Sequence, residues 1–186
     1  MKPKLIQAPA DGPLTLESVK AHLRVFFLDD DEYIQGLIKV AMSHLDGYRG
    51  ILNRCILSQQ WQTTRYRFCR RMETLFTDTT AVVVTYYDAD DEIQTVADTD
   101  YIVYPDYILF KRGFVTPAVN RDRDDCIMLT STHGYDEVPD TLILGMKILI
   151  AHWYRNREPV AFGTQAAPLP IPFAADMLIA PHRWAF

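Results

Sequence analysis

LILGMKILIAHWYRNR, residues 142–157, is the stretch that decides how this chain folds. Between Leu142 and Tyr154 only Lys147 and His152 carry a charge or an imidazole, so the segment is apolar almost all round. A helix with that pattern is buried on more than one side. We therefore predict a helix over about 139–157. It is either the central helix of its own core or also packs against a neighbouring subunit, and both can hold together.

The residues before this helix predict two further helices, over about 15–25 and about 30–50. Thr15 can cap the first of them, because its hydroxyl can accept a hydrogen bond from a free backbone N–H of the first turn. The acidic run DDDE at 29–32 opens the second, because carboxylates complement the positive end of a helix dipole. An apolar stripe with a helical period follows that run.

The segment between about 58 and 132 has the composition of β-strands. It contains the runs SQQWQTTRYRF, AVVVTYYDADDEIQTV, YIVYPDYILF and CIMLTSTHGY, which are rich in β-branched and aromatic residues. Strands that are segregated from helices indicate an α+β fold rather than a parallel α/β sheet. We expect one domain over 14–158, with an irregular N-terminal arm at 1–13 and a proline-rich C-terminal arm at 159–186.

Composition excludes several classes of function. The formal net charge is −5 and no long basic run occurs, which argues against duplex DNA binding as the main activity, although not against lining a passage for DNA. The three cysteines form no CxxC pair and indicate a reduced, cytoplasmic setting. No signal peptide and no membrane span are expected, since no apolar run approaches the roughly 20 residues that a bilayer requires.

The sequence predicts no metal site, no cofactor and no catalytic centre. None of the five histidines has a second ligand at metal-binding spacing. The acidic run DADDE at 88–92 fails as a calcium loop, because Ile93 and Thr99 stand where glycine and glutamate are needed. No GxSxG, HExxH or glycine-rich phosphate loop is present. A solvated hairpin turn is the preferred interpretation of the acidic run.

An ordered set of segments resembles the head-tail connector, or adaptor, proteins of tailed bacteriophages and gene-transfer particles. The helical segments are LTLESVKAHLRV at 14–25, DDDEYIQGLIKVAMSHLDGYRG at 29–50 and VPDTLILGMKILIAHWYRNREPV at 138–160. The set also includes LSQQWQTT at 57–64, YYDADDEIQTV at 86–96 and LIAPHRW at 178–184. Residues 65–80 and 103–125 match less well. The resemblance covers most of residues 14–184.

The resemblance implies a structural protein of the virion neck that is assembled in the host cytoplasm. Such connectors form a ring, commonly of twelve subunits, beneath the portal protein. The ring extends the channel through which DNA is ejected, and it presents a surface to the next neck or tail-completion (stopper) protein. The implied fold is a mainly helical bundle of three main helices with a small antiparallel β-sheet subdomain and an extended C-terminal arm.

Two sets of residues become candidate contact sites under this resemblance. The arm combines prolines with large apolar side chains, which suits docking on the portal or a neighbouring subunit better than solvation. Its candidate residues are Phe173, Met177, Leu178, Ile179, His182, Arg183, Trp184 and Phe186. The candidates for a ring interface close the last long helix and are Trp153, Tyr154, Arg155 and Arg157. The alternatives are a small enzyme of unrecognised type and a DNA-packaging accessory protein that binds DNA.

Overall fold

The computed structural model of the protein describes residues 3–9, 11–157 and 172–184. Its contacts divide the chain into two units. One unit combines Met1–Ala10 with Arg54–Asp136 and contains the strands, and the other combines Asp11–Asn53 with Glu137–Phe186 and contains the α-helices. We call them the sheet unit and the helical unit.

Eight strands in the described residues form two antiparallel sheets. They are β1 Lys4–Gln7, β2 Gln59–Arg65, β3 Arg71–Glu73, β4 Thr79–Tyr87, β5 Ile93–Thr95, β6 Tyr101–Val103, β7 Tyr107–Phe110 and β8 Ile127–His133. The larger sheet has the order β1-β2-β8-β4-β5, and the smaller has the order β3-β7-β6. Both sheets contribute to one buried apolar cluster, which includes Val84 and Leu129 of the larger sheet and Ile108 of the smaller.

Side-chain alternation explains why β8 is the central strand of the larger sheet. Every second residue from Ile127 to His133 is buried, and the residues between them are half-buried. This two-residue period is the one that a strand needs to place one face on a core. The last two inward positions are the polar Ser131 and His133, so the apolar core ends at that point of the strand.

Four α-helices lie in the described part of the helical unit. They are α1 Leu16–Leu23, α2 Asp31–Leu45, α3 Asp140–Arg155 and α4 Phe173–Ile179. Thr15 caps α1 as predicted, since its Oγ1 accepts a hydrogen bond of 3.2 Å from the N–H of Ser18. The α2 helix ends at Leu45, earlier than the predicted residue 50, and Gly47 follows with a φ of 74° that disfavours residues with a side chain.

The surroundings of α3 account for its apolar sequence. It packs against α1, α2 and α4. Its buried residues are Leu142, Gly145, Met146, Leu149 and Ile150. Helix α4 of the same chain therefore covers a face of α3 that, on the sequence alone, could also have packed against a neighbouring subunit.

The predicted fold class, a mainly helical bundle of three main helices with a small sheet subdomain and an extended C-terminal arm, is wrong. The described residues form four helices and eight strands in two sheets. Strand β1 lies inside the predicted irregular arm because Pro3 and Pro9 flank it rather than interrupt it. Helix α4 begins directly after Pro172, where the absence of an N–H carries no penalty.

Candidate partner-binding surfaces

A close contact between two helices places the C-terminal segment on the helical unit. Ala175 and Ile179 of α4 are buried, and Ile179 is only 1% exposed. A Cβ atom on Gly145 of α3 would lie 2.9 Å from Cγ1 of Ile179 and 3.3 Å from Cβ of Leu178. Glycine at this position therefore allows α4 to approach α3 this closely.

Hydrogen bonds hold the residues that follow α4. The N–H of Trp184 donates to the carbonyl of Leu52 over 2.9 Å, and Nδ2 of Asn53 donates to the carbonyl of Trp184 over 3.2 Å. His182 Nε2 and the Thr141 hydroxyl form a hydrogen bond of 2.8 Å. Residues 172–184 are thus part of the helical unit and do not form an extended arm.

The same segment keeps large apolar side chains in solvent. Phe173 is 78% exposed, Met177 is 59% exposed and Trp184 is 42% exposed. Phe173 and Met177 are four residues apart and lie on one face of α4. We call these three residues the outer patch. A segment whose backbone is held in place while large side chains stay exposed is typical of a pre-formed contact surface.

The other predicted residues of the arm have different environments. Leu178 is half-buried, and Ile179 belongs to the buried face. Arg183 forms an ion pair of 3.6 Å with Asp176, and exposed pairs of this kind contribute little to stability. His182 is held by Thr141. Phe186 lies outside the described residues.

Tyr154 and Arg157, two of the predicted ring-interface residues, join a network within the helical unit. The Tyr154 hydroxyl donates a hydrogen bond to Asp30, and Arg157 forms a 3.0 Å ion pair with the same carboxylate. The Arg157 guanidinium also lies 4.5 Å from the ring centre of Tyr33. The Tyr154 and Arg157 hydrogen bonds lower the pKa of Asp30, and Asp30 in turn raises the pKa of Tyr154.

The other two predicted ring-interface residues do not join that network. Trp153 is half-buried and packs edge-on against His44, with ring centres 6.0 Å apart. Arg155 is exposed and forms no ion pair with any described residue. Burial, Lys147 and Arg155 together lower the pKa of His22. Arg155 is therefore the member of the four that presents an uncompensated charge at the surface.

The sequence reasoning missed an apolar loop between α1 and α2. Phe26 is 86% exposed, Phe27 is 51% exposed and Leu28 is 75% exposed. In the sequence, this loop could have been recognised as three large apolar residues in succession directly before the acidic run at 29–32. We call Phe26–Leu28 the apolar loop. Exposed apolar surface of this kind marks an interaction site when it is contiguous.

The reasoning also missed a basic-aromatic pocket in the sheet unit. It has a volume of about 470 Å³, and Phe68, Phe110 and Phe114 form its aromatic wall. The ring centres of Phe110 and Phe114 are 4.4 Å apart in a stacked arrangement. Three cationic residues also line it, namely Arg70, Lys111 and Arg112. The charges are in the 65–80 and 103–125 segments, whose significance no local motif revealed.

A buried histidine in the sheet unit is structural. His133 is fully buried, its Nε2 lies 2.6 Å from the Ser131 hydroxyl, and its ring packs edge-on against Phe76. Burial lowers the pKa of His133 to about 4, although Asp78 at 3.7 Å acts in the opposite direction. His133 is therefore neutral at pH 7.

Within residues 3–9, 11–157 and 172–184, no group of three or more His, Cys, Asp or Glu side chains is placed to hold a metal ion. No helix among those residues is long and apolar enough to cross a membrane.

The acidic turn at 88–92 is stabilised by hydrogen bonds within itself. The Asp88 carboxylate accepts hydrogen bonds from the N–H groups of Asp90 and Glu92 at 3.0 Å.

Comparisons with known proteins give matches in structure. No family model matches the sequence, and no curated protein matches it. A chain from the neck of an empty gene transfer agent particle, computed with C6 symmetry, has a TM-score of 0.74 at 18% identity, over 100% of this chain and 97% of that chain. A chain from the virion of a native gene transfer agent particle has a TM-score of 0.73 at 16% identity, over 100% and 97%. A chain from the neck of a native particle, computed with C12 symmetry, has a TM-score of 0.62 at 16% identity, over 98% and 96%. This chain therefore shares its fold, over its full length, with chains of gene transfer agent particles.

Proposed function

We propose that the protein is a structural component of the neck of a phage-like particle, in which copies of it form a ring. The full-length likeness to chains from particle necks is the observation that carries this proposal. The symmetry of those necks, sixfold in one case and twelvefold in the other, supports a ring. The segments that resemble connector proteins support the same role from the sequence.

In the detailed form of the proposal, the ring has twelve copies and lies beneath the portal protein. It extends the DNA channel and offers a surface to the next neck or tail-completion protein. The role is architectural, without catalysis. DNA passes without sequence-specific binding, which is compatible with the net charge of −5.

The outer patch is the surface that we assign to the portal. Phe173, Met177 and Trp184 are exposed on a segment whose backbone is already held by Leu52 and Asn53. A partner that covers them does not have to order this part of the backbone, because the backbone is held in place before binding. A ring multiplies each such contact, so modest individual contacts give strong attachment.

The test is co-sedimentation of the purified full chain with purified portal rings. We expect the unaltered chain to sediment with the portal. The triple variant Phe173→Ser, Met177→Ser and Trp184→Ala should lose most of this binding while its melting temperature stays close to that of the unaltered chain. Val40→Ser is the matched control, since Val40 is 53% exposed on α2 outside the outer patch.

One result would contradict the neck role, and another would contradict the assignment of the outer patch to the portal. Failure of the unaltered chain to bind portal rings at any concentration that gives folded protein contradicts the neck role. Normal binding by the triple variant retains that role and shows that the portal surface lies elsewhere.

A further inference from the structure

The apolar loop is exposed and yet fixed in position. The Nζ of Lys20 donates a hydrogen bond of 2.7 Å to the carbonyl of Phe27 and forms an ion pair with Asp31. Arg24 ends α1 in the left-handed conformation, with a φ of 58°. The chain therefore holds three large apolar side chains in solvent on an ordered turn, which lowers the entropic cost of covering them.

Uncompensated carboxylates lie beside this loop. Asp30 and Asp31 are engaged by Arg157 and Lys20. Asp29 and Glu32 are exposed, and neither forms an ion pair within the part of the chain that the structure describes. The loop with its flanks is thus an apolar projection with two free negative charges.

The basic-aromatic pocket has the complementary properties. Its wall consists of phenylalanine rings, with Phe68 lying 5.6 Å from both Phe110 and Phe114 between ring centres. Arg70, Lys111 and Arg112 are exposed, and none forms an ion pair with a described residue. A volume of about 470 Å³ admits one or two large side chains. The pocket fits a ligand that is apolar at its tip and negative at its base.

We propose that the apolar loop of one copy inserts into the basic-aromatic pocket of the next copy. This inference rests on the proposed ring and names the contact that would build it. The loop and the pocket are different surfaces of the same chain, so the contact is heterologous. Repeated heterologous contacts close into a ring when the rotation per copy divides a full turn.

A second copy is the favoured occupant because it matches both halves of the pocket. Its loop offers Phe26, Phe27 and Leu28, of which the pocket has room for one or two, and it brings Asp29 and Glu32 to the three cations. Each copy also supplies one loop for each pocket. Single-stranded nucleic acid would match the rings and the positive charge by base stacking and phosphate contacts, and it is one outcome of the test.

A native thiol allows the contact to be tested directly. Cys69 lines the pocket and is exposed, whereas Cys55 and Cys126 are buried. Copies carrying Leu28→Cys and Cys69→Ser are mixed with unaltered copies and treated with a short bismaleimide, with and without portal rings. Only a contact between copies can then join the introduced thiol to Cys69. We expect at least tenfold more cross-linked dimer than for Val40→Cys with Cys69→Ser, or for the first variant alone.

Charge reversal gives a second readout that does not depend on thiols. Asp29→Lys with Glu32→Lys, and separately Arg70→Glu with Arg112→Glu, should each weaken self-association at least tenfold in analytical ultracentrifugation. Mixing the two variants should restore association in heterodimers, because the unaltered loop of the pocket variant meets the unaltered pocket of the loop variant, and the reversed loop meets the reversed pocket. All four residues are exposed, so circular dichroism should show unchanged folding.

The outcomes separate this inference from the proposed function. Rings on the portal without the cross-link and without charge rescue overturn the inference and leave the neck role standing. The cross-link without portal binding supports the contact and counts against the neck role. Loss of oligonucleotide binding in the Arg70→Glu and Arg112→Glu variant, with no effect on self-association, overturns the inference in favour of nucleic acid.

Discussion

Replacement of Ile179 by alanine tests whether α4 belongs to the core of the helical unit. Ile179 is 1% exposed and touches the α3 surface at Gly145. The change removes three buried carbon atoms, and at about 0.8 kcal/mol each the transfer free energy alone is about 2.4 kcal/mol. The cavity that remains adds to this, so we expect the free energy of unfolding to fall by about 2–5 kcal/mol.

Met177→Ala is the matched control, because Met177 is on the same helix and 59% exposed. Its expected effect is within about 0.5 kcal/mol, as for other surface substitutions. Urea unfolding followed by far-UV circular dichroism measures both variants, and hydrogen exchange with mass spectrometry shows whether protection is lost in α3 and α4. An Ile179→Ala protein as stable as the Met177→Ala protein, with unchanged exchange, would refute the packing argument.

Three further predictions concern single side chains. Burial lowers the pKa of His133 to about 4 in the folded chain, whereas its ordinary value in an unfolded chain is about 6.5. As the pH falls below about 6.5, the unfolded chain therefore binds a proton at His133 before the folded chain does, and the free energy of unfolding decreases. The resulting loss of stability between about pH 7 and 4 should reach about 3 kcal/mol in urea unfolding and should be absent from His133→Gln. Asp30→Asn should lower the pKa of Tyr154 towards its ordinary value, which NMR of ring-labelled tyrosine can measure against Asp29→Asn as control. Gly145→Ala should lower the melting temperature, since its Cβ would overlap Ile179, whereas Gly36→Ala, which meets nothing within 4 Å, should not.

Patterns that extend over a whole helix were readable from the sequence. The helix start after Thr15 and the long α3 follow from capping chemistry and from a sustained apolar pattern. The sequence did not reveal that α4 packs against α3, because α4 lies after a proline-rich stretch. Pro168, Pro170 and Pro172 suggested an extended path, but prolines restrict only their own neighbourhood, and Phe173–Ile179 has helix-forming residues.

The content of strand was underestimated for a different reason. The two strands that were not predicted are β1, which lies in the segment read as an irregular arm, and β3, whose three residues are too few for an alternation to be recognised. Their pairing depends on partners far along the chain, as when Met72 lies opposite Ile108. The missed pocket shares this property, since it brings Phe68 beside Phe110 and Phe114 across some forty residues of sequence.

For the predicted site residues, the chemical type of each side chain was readable from the sequence, whereas its burial was not. Trp184 and Ile179 are both large and apolar in the same segment, yet one is 42% exposed and the other is buried. Helical phase decides this difference, and it could not be assigned while the segment was read as extended. Tyr154 and Arg157 likewise have a partner within the chain, Asp30, that no spacing rule connects to them.

The most direct test of whether copies of this chain form a ring on the portal is cryo-electron microscopy of the full chain bound to portal rings, reconstructed without imposed symmetry. We expect a closed ring of copies of this chain on the portal, with the same heterologous contact between each pair of neighbours. A stable two-fold dimer in solution that leaves the portal bare at all protein concentrations would contradict it.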